Sequence, residues 1–208
     1  LAIIEATAVE PRGRISWADI GLWDDTTEQA FANALAATRR HSAMPLGVQL
    51  AHAGRKASTH RPWDHHGAAI PPDDAHGWRT VSASAIPYAE DGLPPIALDQ
   101  AGIDDVIAAF VASARRAVRL GLDLIELHAA HGYLLHQFLS PLSNRRDDAY
   151  GGSLENRMRL LLQVFDAVKA AVPATMALGG RISATDWVDG GWDLAQSIVL
   201  AKALDARG

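Results

Sequence analysis

Apolar and polar segments alternate along the chain with two distinct periods. A short apolar run, Leu1 to Ile4, reads as a strand. From Trp23 to His41, Phe31 and Leu35 lie on one helix face among small residues. Leu46-Gly-Val-Gln-Leu50, directly after Pro45, predicts a second strand. Ile103, Ile107, Phe110, Val111, Ala114 and Val118 then recur at three- and four-residue steps, a core-facing helical stripe. Gly121 stands where a left-handed residue would end that helix. Leu122 to Leu127 predicts a third strand. Ser153 offers an N-cap, with Glu155 in the first turn, to a helix carrying Leu154, Met158, Leu161, Leu162, Phe165 and Val168. Beyond Pro173, Ala174 to Ser183 predicts a fourth strand and Leu194 to Leu204 a last helix.

Two stretches interrupt this order. His52 to Asp99 is polar and rich in Pro, Gly and His; a connection of that length carries function or small strands, such as Thr80 to Ala83. A second polar loop follows the third strand. Strand, loop and helix repeated four times make a parallel sheet with right-handed crossovers. The polar residues then favour a barrel over an open sheet. Glu5, Gln49, His52, His128, His131, Arg181 and Ser183 fall at or just beyond strand C-termini, the face that holds a barrel's active site. No Gly-x-Gly-x-x-Gly joins the first strand to its helix, and the glycine pairs at 151–152, 179–180 and 190–191 lack that spacing. The expected fold is α/β, a (β/α)8 TIM barrel of which residues 1–208 form one domain holding four of the eight strands.

Composition narrows the function. Nineteen Lys+Arg against 24 Asp+Glu give a net charge of −5, which leaves no excess cation for a nucleic-acid partner. Hydrophobic residues at 49% and charged residues at 21% match a globular chain. The absence of cysteine excludes a disulfide, a thiolate metal centre or a cysteine nucleophile within these residues. No apolar run approaches the roughly 18 residues of a membrane span. Leu1 to Glu5 lacks the basic flank and cleavage pattern of a signal peptide, so a cytoplasmic protein is expected.

The chemistry concentrates in Glu126-Leu-His-Ala-Ala-His-Gly-Tyr133, where two imidazoles and a phenol leave one strand within six residues. His128 and His131 suit donation to an oxygen gaining negative charge, and Tyr133 suits protonation of a carbanion or enolate. Spacing alone leaves two alternatives open: a metal site joined by a carboxylate, as in a metal-dependent hydrolase, or loop-capping histidines in a non-catalytic fragment. His65-His66 with Asp64 reads as a solvent-exposed cluster rather than a metal site, Asn144 to Asp147 with Tyr150 as loop-fixing residues, and Arg55 and Lys56 as surface charge or contacts to a substrate or nicotinamide phosphate.

Longer blocks carry a resemblance. His128-Ala-Ala-His131-Gly-Tyr133 running on through Asn144-Arg-Arg146 and Tyr150-Gly-Gly to Arg157 resembles the old yellow enzyme family of flavin-dependent ene reductases. Glu5 to Ser16, Gln49-Leu-Ala-His-Ala-Gly-Arg55-Lys and Arg181-Ile-Ser-Ala-Thr-Asp-Trp187 match it too, in order, and the paired histidines are most similar to its thermophilic-like bacterial subgroup. The resemblance implies FMN as cofactor, NADPH or NADH as reductant, and a small activated alkene as substrate. It implies hydride transfer from flavin N5, hydrogen bonds from His128 and His131 to the substrate's activating oxygen, and a proton from Tyr133. It places Gln49 and the Ala6 backbone at the flavin pyrimidine edge and Arg181 near N1 and O2. The resemblance implies a longer chain, of which these residues hold about strands 2–5, the first strand and strands 6–8 with the FMN phosphate site falling outside them. Half a barrel exposes two strand edges, so the isolated chain is expected not to be a stable monomer; a homo-oligomer or a complementary barrel half is the expected partner. The glycines before Arg181 weaken its strand.

Overall fold

The computed structural model describes residues 1–208. Strands β1 (Ala2–Ala8), β2 (Leu46–Ala51), β5 (Leu124–Ala129) and β6 (Ala177–Ile182) lie side by side in that order, all parallel. The two-residue strands β3 (Val81–Ser82) and β4 (Ile96–Ala97) pair with each other inside the long polar stretch. Helices α1 (Asp25–Arg39), α2 (Gln100–Arg119), α4 (Leu154–Ala171) and α5 (Leu194–Asp205) each follow one main strand. The assembly is an arc of a (β/α)8 barrel, with β1 and β6 as its two edges.

Register divides the sheet into two faces. Val48 pairs with Ile125 and Leu50 with Leu127. All four are fully buried, in one core with Phe110 and Ala114 of α2 and Leu161 and Val164 of α4. The alternate rows point the other way. Gln49 pairs with Glu126, Glu126 with Gly179, and His128 with Arg181. Because strand side chains alternate, one strand serves both the helix-covered core and a polar inner face.

The sequence places most elements, but their ends shift for identifiable reasons. Helix α1 starts at Asp25 because the Asp24 side chain accepts from the Thr27 N–H while the Thr27 hydroxyl accepts from the Asp24 N–H, a reciprocal cap. Strand β5 begins two residues late because the Leu122 N–H donates to the Ala117 carbonyl and closes α2. Strand β6 begins at Ala177 because Pro173 opens a turn closed by the Met176 N–H. The second polar loop in fact holds a helix, α3 (Leu134–Leu139), with all six residues buried. A helix buried all round shows no amphipathic stripe to read.

Gly121, at φ 67°, has nothing within 4 Å of where a Cβ would stand. Gly121→Ala is therefore expected to cost about 1–2 kcal/mol through backbone strain alone, measured by urea denaturation. An unchanged midpoint and slope would contradict it.

Candidate functional site

The inner face is crossed by a row of hydrogen bonds spanning all four strands. Strand β1 bulges between Ile4 and Thr7, and Ala6 there adopts φ 46°. Its N–H donates to Gln49 Oε1 (3.0 Å); Gln49 Nε2 donates to Glu126 Oε1 (2.6 Å); Arg181 Nε donates to the same oxygen (3.2 Å). The donors and acceptors leave one assignment for the Gln49 amide, because the backbone N–H needs its oxygen and the carboxylate needs its nitrogen. Gln49 is buried and Arg181 half-exposed.

Next to this row, at the C-terminal end of β5, stand the two histidines and the tyrosine. His128 is buried, and its Nδ1 accepts from the Ala130 N–H (3.2 Å). Burial foremost, then the nearby His131 and Arg181, push its pKa down to about 4, although Glu126 pulls the other way. At neutral pH the ring is uncharged, and its single proton sits on Nε2. That atom faces His131 Nδ1 at 3.2 Å, so the two imidazoles are bonded to each other. His131 sits at φ 58°, its N–H donating to Ser183 Oγ (2.9 Å) and its carbonyl accepting from Lys56 Nζ (3.0 Å). Tyr133 precedes α3 with its ring edge-on to His128, centroids 4.8 Å apart. Burial, then Asp19 and Tyr88, raise its pKa, which keeps the phenol protonated. The Lys56 ammonium lies between the Tyr88 and Tyr133 rings, 5.0 and 5.2 Å from their centroids.

Tyr133 also lines a cavity of about 710 Å³ beneath the long polar stretch, with Arg55, Lys56, Ile70, Trp78 and Tyr88 among its walls. That volume suits a small organic ligand.

All six residues singled out from the sequence, Ala6, Gln49, His128, His131, Tyr133 and Arg181, thus fall on one face. Three further residues join them: Glu126, which sequence reasoning gave no role and which ties Gln49 to Arg181; Ser183, read only as a strand-end polar residue; and Lys56, read as surface charge or a substrate or nicotinamide-phosphate contact, the last two pinning the His131 backbone. For Glu126 the signal was strand alternation, which puts it on the face of His128. Two strand-end residues do not join the site. His52 is buried away from it, with Nε2 donating to Glu10 Oε1 (2.7 Å) and Nδ1 accepting from the Gly54 N–H (3.0 Å). Glu5 is exposed in the β1 bulge, next to Ala6. No three His, Asp or Glu side chains group as a metal set anywhere, so neither His128 with His131 nor His65 with His66 finds a third ligand. Asn144 is buried and fixes its loop by donating to the Phe138 and Tyr150 carbonyls. Arg146 ties that loop to the carbonyls of Ala83 and Leu98, beside β3 and β4.

Comparison with known proteins bears on this arrangement. The sequence matches the NADH:flavin oxidoreductase / NADH oxidase family over residues 1–208. The chain belongs to this family. It is 43% identical to an NADPH dehydrogenase of Listeria innocua, over 100% of this chain and 56% of the relative. Among solved structures, morphinone reductase in complex with tetrahydroNAD superposes with a TM-score of 0.78 at 30% identity, covering 99% of this chain and 58% of that one. Old yellow enzyme from Pichia sp. AKU4542 does so with a TM-score of 0.79 at 28% identity, covering 99% and 54%. The chain therefore spans a little over half the length of the relatives it matches. No helix is long and apolar enough to cross a membrane.

Proposed function

We propose that residues 1–208 form the catalytic face of an FMN-dependent NAD(P)H oxidoreductase that reduces activated carbon–carbon double bonds. The observation that carries this reading is the juxtaposition, on one sheet face, of an amide–carboxylate–guanidinium row with a His–His–Tyr cluster. The donor set fits a flavin. Gln49 has a second amide hydrogen and Arg181 further guanidinium N–H groups for a pyrimidine edge. Arg181 also brings a fixed positive charge, which favours an anionic reduced ring. FMN held there would supply hydride transfer, from a nicotinamide to the alkene carbon β to the activating group.

The remaining work falls to the chain's own side chains. An activating carbonyl or nitro oxygen that parts the two imidazoles receives the His128 Nε2 proton as a hydrogen bond, and His131 donates a second after its ring turns. The His128 ring is held from behind by the Ala130 N–H, and the His131 backbone by Ser183 and Lys56. Donors so placed stabilise the charge that develops on the oxygen. Tyr133 gives its phenolic proton to the α carbon, and the cavity beside it takes the remainder of the substrate. The activity belongs to an assembly in which the edges at β1 and β6 are paired, by a second copy or by further barrel strands.

The test is the visible spectrum, with added FMN and before and after anaerobic NADPH, of residues 1–208 within an assembly whose two edges are paired. A protein-bound flavin that bleaches supports the reading. A folded assembly of that kind that retains no FMN overturns it.

A further inference from the structure

We propose that Glu126 is the positioning residue of this face: its carboxylate fixes the amide of Gln49 and offsets the charge of Arg181, and so sets how strongly the reduced flavin is favoured. The inference rests on the flavin reading above.

Glu126 lies mid-strand on β5, with its side chain 16% exposed. One of its oxygens accepts from both neighbours, Gln49 Nε2 on β2 and Arg181 Nε on β6. Its in-register partner on β6 is Gly179, where nothing stands within 4 Å of a Cβ position. The space beside the carboxylate is thereby left free. Arg181, paired opposite His128, reaches back along the strand to occupy it. Glu126 is the only carboxylate with which Arg181 forms an ion pair.

Two consequences follow. The ends of a glutamine amide are alike in shape and opposite in hydrogen-bonding sense. With its nitrogen held by Glu126, the Gln49 oxygen stays on the Ala6 N–H; without that hold the amide turns over, and the Ala6 N–H loses its acceptor for part of the time. The second consequence is electrostatic. A carboxylate on Arg181 reduces the positive field at the ring edge, so removing its charge favours the anionic reduced flavin more strongly.

Two variants separate these roles. Glu126→Gln keeps an oxygen for Gln49 but removes the charge, whereas Glu126→Ala removes both. In flavin-free protein, amide hydrogen exchange at Ala6 is expected to accelerate by about fivefold to tenfold in E126A, the loss of one hydrogen bond, and to stay near wild type in E126Q. With FMN bound, E126Q is expected to raise the flavin reduction potential, and Arg181→Gln in that background is expected to return it toward wild type. Unchanged Ala6 exchange in folded E126A, or an unchanged potential in E126Q, overturns the proposal. If the wild-type assembly with both edges paired takes up no FMN, the flavin reading fails, while the exchange measurement still decides whether Glu126 holds Gln49.

Discussion

Tyr133→Phe is expected to slow reduction of the alkene by about 10²–10⁴-fold, the usual contribution of a placed general acid, with the rate of flavin reduction by NADPH unchanged. The ring touches His128 edge-on, and the substitution keeps that packing while deleting only the hydroxyl. Stopped-flow measurement of the two half-reactions separates the outcomes: equal loss in both implicates flavin binding, and no loss in either removes Tyr133 from catalysis. The pH dependence supplies a second check. With His128 pushed down to about 4 and Tyr133 raised by burial, neither group titrates between pH 5 and 9. Alkene reduction by the wild-type enzyme is then expected to show no ionisation from them in that range. His128 does leave a mark on stability. The unfolded chain takes up a proton near the ordinary histidine value while the folded protein does not, so stability falls as the pH drops from about 6.5 toward 4.

How much of this was legible in the sequence depends on the kind of signal. Helices α2 and α4 declare themselves by apolar periodicity, because each buries one face only, whereas β2 and β5, covered on both faces, show as short apolar runs. Helix α3 does not, since Leu134 to Leu139 are buried on every side and too short to show a period. The positions of Gln49, His128 and Arg181 were legible as strand-end polar residues, and matching blocks supplied their roles. His52 shares that position yet turns inward to Glu10, and nothing in the local pattern separates the two cases. Glu126 was missed for the opposite reason. A carboxylate amid the apolar residues of β5 needs a partner, but the partners come from β2 and β6, which only the register brings alongside.

The same limit applies to Asp186, which sequence reading placed in a matching block without a task. It proves to be the knot between α3 and the loop that follows β6. His136 Nε2 donates to its Oδ1 (2.8 Å), and the Ser140 hydroxyl (2.6 Å) and the Trp192 N–H (2.7 Å) donate to its Oδ2. Burial pushes the Asp186 carboxyl up, but these three donors outweigh it and hold the pKa at about 2. Asp186→Ala leaves three buried donors unpaired and is expected to cost about 3–5 kcal/mol at pH 7. Because the folded value lies below the ordinary 3.8, the stabilisation is fully present above about pH 4 and is lost as pH falls toward 2. That titrating share amounts to roughly 2 kcal/mol at 1.36 kcal/mol per unit. Chemical denaturation of wild type and variant at pH 7 and near pH 2 measures both parts. A gap that narrows by that share in acid supports the ionised knot; the same gap at both pH values would mean that Asp186 acts by packing alone. Since α3 begins one residue after Tyr133 and β6 ends one residue before Ser183, loosening this knot also frees the supports of Tyr133 and His131. A variant stable enough to assay is therefore expected to lose alkene reduction before it loses bound flavin, because the Gln49, Glu126 and Arg181 row lies on the strands and not in this loop.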